Sequence, residues 1–302
     1  MSRIEKNGHT IDITHPGKEI FPDAGLTKQD LVDFYERMAG YILPYLKDRP
    51  LVMHRYPNGI HQKDFYQKDE PDYFPGWIET VKVKLRGEGS RQMVMCNDEA
   101  TLLYLVNQAC ITPHIWLSTR KNLEKPDRLV FDLDPPKENF DLVQDGAKDL
   151  KKIFDELDMK SYVMTTGSKG MHVVVPLDGK DDFEAAREFA KKVAVYLADQ
   201  HPDKYTTETR TDKRRGRLFL DYLRNAYGQT AVAPYAMRAR KGAPVAVPLN
   251  WDEAGKSDMS AQKFTYKNVF RRLSAKEDPW NDMSRHSYSI GTTLKKFNNA
   301  FS

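Results

Sequence analysis

The chain has 302 residues, 40% hydrophobic and 30% charged, which is enough for one large domain or two modest ones. No apolar run approaches the roughly 20 residues that cross a bilayer, and the opening Met-Ser-Arg-Ile-Glu-Lys lacks the apolar core of a signal peptide. A net charge of +4 permits a polyanionic partner. Cys96 and Cys110 have no metal-ligand spacing and read as reduced thiols of a cytoplasmic protein.

In chain order, the turn-rich His15-Pro16-Gly17-Lys18 precedes Thr27-Lys28-Gln29-Asp30. The second stretch is a capping box that opens an amphipathic helix through Leu31, Phe34, Tyr35, Met38 and Ile42. Lys28 would be the first helical residue, where free backbone N–H groups attract anions and a cation opposes the dipole. Two readings stand: two solvent-exposed lysines, or Lys18 and Lys28 together on a phosphate. Residues 50–59 predict a strand containing Arg55 that ends in a Pro57-Asn58-Gly59 turn. Phe65 and Tyr66 are either base-stacking aromatics or half-buried sheet residues. Residues 84–91, ending in Arg91, form a charged glycine-rich loop. Asn97 is expected to cap a helix with Asp98 and Glu99 in its first turn and Leu102, Leu103, Leu105 and Val106 inside. His114 is either a satisfied core or surface residue or part of a site.

The informative stretch is Leu129-Val130-Phe131-Asp132-Leu133-Asp134-Pro135-Pro136. Period-2 alternation makes it a strand with Asp132 and Asp134 on one face, roughly 6.6 Å apart along the strand. Pro135 cannot donate to a sheet ladder, so the strand ends at its acids. Two carboxylates so close favour a divalent cation with hard oxygen ligands, Mg²⁺ or Mn²⁺; alone, the pair reads more readily as a solvated strand end, since such matches are common by chance.

A helix from about Leu142 to Leu157 follows, then strand 161–166, a turn at Gly167-Ser168-Lys169-Gly170 and strand 171–177. A helix from Phe183 to about Ala198 leads through a basic loop to strand 217–223. This β-α-β-β-α-β order is the split βαβ, ferredoxin-like arrangement of an α+β fold. Its first strand lies between the third and fourth, so Asp132 and Asp134 neighbour His172 and Asp221. An aspartate inside the apolar Leu218–Leu223 run is costly unless paired or metal-bound. The Thr166–Gly170 hairpin offers backbone N–H groups, hydroxyls from Thr166 and Ser168, and the Lys169 charge to a phosphate. Arg224 and Arg238 are further triphosphate ligands, and the basic run 210–217 suits a nucleic-acid backbone. The C-terminal part, with Pro248–Trp251 and residues 264–273, reads as a packing extension without chemistry.

Taken together, Asp132-Leu133-Asp134, Thr165-Thr166-Gly167-Ser168-Lys169-Gly170-Met171-His172, Asp221, Arg224 and Arg238 resemble the polymerase domain of bacterial ligase D. That family belongs to the archaeo-eukaryotic primase superfamily and serves non-homologous end joining. The resemblance extends to His15-Pro16-Gly17-Lys18 and Arg55-Tyr56-Pro57-Asn58-Gly59 and covers nearly the whole chain. It implies a single primase-polymerase domain over 1–302, with an N-terminal αβ subdomain (1–112) and a catalytic part (113–302), here as a free-standing chain.

By the same resemblance, Asp132, Asp134 and Asp221 hold two divalent cations, and His114, Thr166, Ser168, Lys169, His172, Arg224, Arg238 and Tyr66 meet an NTP or dNTP. Lys18, Lys28, Arg55, Phe65, Arg91 and Arg214 meet DNA, the two lysines at a 5′-phosphate. The implied partners are gapped or overhanging DNA ends, Ku, and a separate DNA ligase and phosphoesterase, at DNA breaks in the nucleoid. Two positions depart from the family pattern: Thr166 replaces a frequent Ser, and His54 replaces a frequent Lys before the Arg-Tyr-Pro arginine. The alternatives are a primase-polymerase that starts chains de novo, a two-metal nuclease or phosphatase, and a non-catalytic DNA-end binding module.

Overall fold

The computed structural model describes residues 2–136 and 139–301. Hairpins β1 (Ser2–Lys6)–β2 (His9–Ile13) and β3 (Glu19–Phe21)–β4 (Leu26–Thr27) lead into α1 (Lys28–Leu46). Next come β5 (Leu51–Arg55), β6 (Phe65–Gln67), the hairpin β7 (Thr80–Lys84)–β8 (Ser90–Val94), α2 (Glu99–Asn107) and β9 (Cys110–Trp116). The second half contains β10 (Arg128–Asp134), α3 (Phe140–Glu156), β11 (Tyr162–Thr165), β12 (Met171–Pro176), α4 (Phe183–Gln200), β13 (Tyr205–Thr206) and β14 (Leu218–Asp221). β15 (Thr230–Val232), β16 (Val247–Leu249), α5 (Trp251–Ala254), α6 (Val269–Ala275) and α7 (Ile290–Phe301) complete the chain.

Two sheets organise the molecule. The larger has the order β13-β14-β10-β12-β11-β16. Its centre, β14-β10-β12-β11, is the expected split βαβ order, with β10 between β12 and β14. The alternation in β10 explains its position: Leu129, Phe131 and Leu133 are fully buried, each stabilising the core by ~1.5–3 kcal/mol, and the aspartates take the other face. The second sheet has the order β15-β9-β5-β6. A boundary at residue 112 falls within β9, and β15 reaches back from the C-terminal half to pair with it. One large apolar core runs under both sheets.

Three local expectations change. The N-cap of α2 is Asp98, which accepts from Thr101 N–H, while Asn97 accepts from Asp48 N–H instead. The glycine-rich 84–91 stretch is the end and turn of the β7–β8 hairpin. The C-terminal region does more than pack, because β16 is an edge strand of the catalytic sheet. The Trp251 and Trp280 indoles donate to the Ser161 and Val163 carbonyls at 2.9 and 3.2 Å, fastening that edge. The capping box at Thr27 and Asp30 is present as read. Among the described residues no helix is long and apolar enough to cross a membrane.

Candidate active site

Strand register assembles the acidic centre. Asp132 faces His172 across β12 and Asp221 across β14, and Asp134 lies two residues further along the same face. One carboxylate oxygen from each of Asp132, Asp134 and Asp221 lies within 4.8 Å of the others, a hard-donor set that fits Mg²⁺ or Mn²⁺. Arg224, in the turn after β14, sits on these acids, its Nε 3.2 Å from Asp132 and 3.4 Å from Asp221. His172 Nε2 is 3.5 Å from Asp132.

The charges are unevenly compensated. Burial pushes all three carboxyls up. In Asp132 this is overcome by His172, Arg224 and Arg238, which hold it down to about 2. In Asp134 the balance is reversed: burial, then Asp132 and Asp221, push it up to about 6 against the weaker pull of Arg224 and Arg214. Burial also raises Asp221, against the pull of Arg224. The cluster therefore lacks positive charge at Asp134, which a divalent cation would supply.

The Thr166–Gly170 hairpin is locked onto the acidic strand. A Cβ on Gly170 would lie 1.8 Å from the Leu133 carbonyl oxygen, so only glycine fits between the two aspartates' backbone and the loop. Gly167 has φ +63°, and a Cβ there would lie 2.8 Å from Arg238 Cγ. Thr166 Oγ1 donates to the Gly170 carbonyl at 3.1 Å and accepts from Ser168 and Gly170 N–H at 3.3 Å, so this hydroxyl shapes the turn. Arg238 Nη1 donates to the Thr166 carbonyl at 3.0 Å. Lys169, Ser168 and Arg238 then line, with Asp132 and Asp134, a cleft of about 260 Å³.

Of the expected nucleotide ligands, His114, Thr166, Ser168, Lys169, His172, Arg224 and Arg238 all line this cleft. The His114 ring is pushed well below its usual pKa by burial and then by Arg238, and its Nε2 is buried without a partner among the described residues. Tyr66 is outside the lining: it stacks on His54 at 3.9 Å and meets His114 edge-on at 5.6 Å. His54 is itself engaged with Asp64 and is buried. Arg240 and Thr230–Val232 also line the cleft and were not singled out from the sequence. The available signal was a second arginine two positions after Arg238; the two are held in a tight turn in which Arg240 N–H donates to the Arg238 carbonyl at 2.8 Å.

A second charged cluster gathers the expected DNA residues Lys18, Lys28 and Arg55. Lys28 is buried at the start of α1 and donates to Thr14 Oγ1 (3.1 Å) and the Asn107 carbonyl (3.0 Å). Its pKa is lowered by burial, then by Lys18 and Arg55. Lys18 reaches Asn58 Oδ1 at 2.8 Å, and Arg55 donates to the Gln108 carbonyl (2.7 Å) and the Tyr73 hydroxyl (2.8 Å). None of the three makes an ion pair among the described residues. Phe65 lies beside Arg55, its ring 5.4 Å from the guanidinium, and adjacent β6 residues point to opposite faces, so Phe65 and Tyr66 serve different surfaces. Arg91 pairs with Asp69 at 3.0 Å beside the β7–β8 hairpin. Arg214 folds onto its own loop, donating to the Glu208 and Thr209 carbonyls with its guanidinium 3.9 Å from the Phe219 ring.

The model of the LigD primase-polymerase domain matches residues 27–280. The bifunctional non-homologous end joining protein LigD of Bacillus subtilis is 33% identical over 278 residues, 91% of this chain and 44% of that protein. The multifunctional LigD of Pseudomonas aeruginosa is 31% identical over 290 residues, 95% of this chain and 34% of that protein. The chain thus spans less than half the length of these relatives. The polymerase domain of Mycobacterium tuberculosis ligase D, solved in complex with DNA, superposes with a TM-score of 0.84 at 26% identity, covering 92% of this chain and 99% of that one. Strand register, acidic centre, glycine hairpin and sequence similarity agree: this chain belongs to the LigD primase-polymerase domain family.

Proposed function

We propose that the chain is a template-directed nucleotidyltransferase that extends 3′ ends and fills gaps at DNA double-strand breaks in non-homologous end joining. The observation that carries this reading is one cleft in which Asp132 and Asp134, with Asp221 grouped beside them, share the walls with the glycine hairpin, Lys169, Arg238 and Arg240. A carboxylate cluster alone would repel a triphosphate; a cationic hairpin alone would bind one without reaction.

Two Mg²⁺ or Mn²⁺ ions, when bound, would lower the pKa of the 3′-hydroxyl and neutralise charge on the leaving pyrophosphate. Asp132, Asp134 and Asp221 would hold them. Lys169 and Arg238 bind and orient the phosphates, and strengthen their contacts as charge shifts to the leaving group. His114, kept neutral, offers the nucleotide a hydrogen bond without adding a competing cation. Arg224, which holds Asp132 and Asp221 and lines the cleft, would be free to meet the phosphates with cations on the acids. Lys18, Lys28 and Arg55, of which Lys28 and Arg55 are buried and none is paired with a carboxylate among the described residues, receive the 5′-phosphate across a gap. Ribonucleotide preference, Ku, a DNA ligase and a phosphoesterase as partners, and action at the nucleoid belong to the same reading.

The test is extension of a primer-template with a downstream 5′-phosphate in Mn²⁺, comparing ribonucleotides with deoxyribonucleotides. Addition that depends on the 5′-phosphate and favours ribonucleotides supports the proposal. DNA shortening instead of extension would assign the acids to phosphodiester hydrolysis, and extension without a primer would assign chain initiation.

A further inference from the structure

A second cavity, of about 290 Å³, opens on the same face of the β15-β9-β5-β6 sheet as the catalytic cleft. Its position follows from strand alternation. His114, in the cleft, and Trp116, in the cavity, are two residues apart on β9 and share a face. Val52 of β5 lies opposite His114 and lines the cavity, and Thr230 of β15 lies opposite Trp116 and lines the cleft. The two spaces are therefore neighbours along one continuous surface.

Its chemistry is aromatic and cationic. Trp116 and Tyr227 meet edge-on at 5.1 Å, over a small apolar cluster containing Val52, Val83 and Met93. The Tyr227 hydroxyl donates to the Lys84 carbonyl at 2.9 Å, fixing the ring against the β7–β8 hairpin. The Trp116 indole N–H is buried and has no acceptor among the described residues. Around the mouth stand Lys68, Lys84, Arg86 and Arg91, and of these only Arg91 makes an ion pair among the described residues. No carboxylate lines the cavity. A flat ring with acceptor atoms, attached to phosphates on both sides, complements every one of these features.

We propose that this cavity receives one unpaired base of the template strand as that strand leaves the catalytic cleft, with Lys68, Lys84 and Arg86 on the flanking phosphates. The inference rests on the polymerase reading above and adds a position-specific contact outside the cleft. It makes Tyr227 and Leu85, at the cavity wall, binding residues for DNA.

The experiment uses primer-template DNA with an unpaired template strand in which a single abasic residue is walked from position to position. The wild-type chain should lose about five- to a hundredfold in affinity at one position and much less at the others. Tyr227→Ala should bind the intact DNA more weakly and show no further loss from the abasic residue at that position; Tyr227→Phe should behave as wild type. Leu85→Ser, at a partly exposed residue, gives a second variant with little risk of unfolding and should reduce the same positional loss. A uniform loss at all positions, or a positional loss undiminished in Tyr227→Ala and Leu85→Ser, would overturn the proposal. Loss of extension and DNA binding by the wild-type chain would instead overturn the polymerase reading and this inference with it.

Discussion

Two regions of the molecule gather like charges, and they do so by different means. The acidic centre is made by register: two adjacent strands of one sheet, β10 and β14, bring Asp132, Asp134 and Asp221 together, with Arg224 as partial compensation. The cationic group is made by packing: Lys18, Lys28 and Arg55 come from a turn, a helix start and a strand end, tied by neutral hydrogen-bond acceptors. Each excess charge is a cost in the free protein that a ligand of opposite sign removes. One region is thereby suited to a cation and the other to an anion, on one polypeptide.

Removing an acid should break this contrast most severely. Asp132→Ala or Asp221→Ala is expected to lower primer extension by at least about a hundredfold while DNA affinity stays largely intact; substantial extension by either variant would remove the acids from the chemistry. Next in size is Gly170→Ala. Its methyl group would overlap the Leu133 carbonyl, so the hairpin or β10 must shift, at ~1–3 kcal/mol in stability, and extension should fall with it. Thermal melting and extension assays check both effects; a variant as stable and active as wild type would show that the contact yields freely.

For the cationic region, Lys18→Ala with Lys28→Ala should weaken binding to gapped DNA bearing a 5′-phosphate by about ten- to a hundredfold. Binding to the 5′-hydroxyl form should barely change. Equal losses on the two DNAs would reduce the cluster to a general electrostatic surface. The smallest effect concerns pH. Asp134, raised to about 6, binds a proton in the folded metal-free protein that the unfolded chain releases near 4. The site's contribution to metal-free stability therefore increases as pH falls from about 6 towards 4. Asp132, held at about 2, contributes stability that is present above about 4 and lost only below it. Mn²⁺ affinity should weaken below pH 6 as protons compete. Asp134→Asn should raise the metal-free melting temperature by a few degrees at pH 7.5, a gain that added Mn²⁺ narrows in favour of the wild type.

What was legible in the sequence follows the same division. Period-2 alternation in β10 and the order of elements identified the strand pairing and the acidic centre, because a one-residue slip would turn Asp132 into the core. The hairpin's glycines were legible too, although the reason Gly170 admits no substitute is the Leu133 carbonyl from another strand. Less of the cationic region could be read. Spacing alone leaves Lys28 as a surface residue; its burial depends on Asn107 at the end of a helix 79 residues away. Arg240 and β15 escaped for a related reason, since their places depend on a long return of the chain to β9. Asp98 displaced Asn97 as the helix cap because the Asn97 side chain is used by Asp48.

The pairing of β15 with β9 also constrains how the protein is made. Between Trp116 and Thr230 lies the entire split βαβ unit, so the smaller sheet cannot close until the ribosome has synthesised the catalytic half. Until then the β9 backbone carries an open row of donors and acceptors, the form of edge that pairs with other chains. A fragment ending before Thr230 keeps that edge permanently. Strands β5, β6 and β9 therefore emerge early yet gain their last partner only after β10 to β14 of the larger sheet have been made.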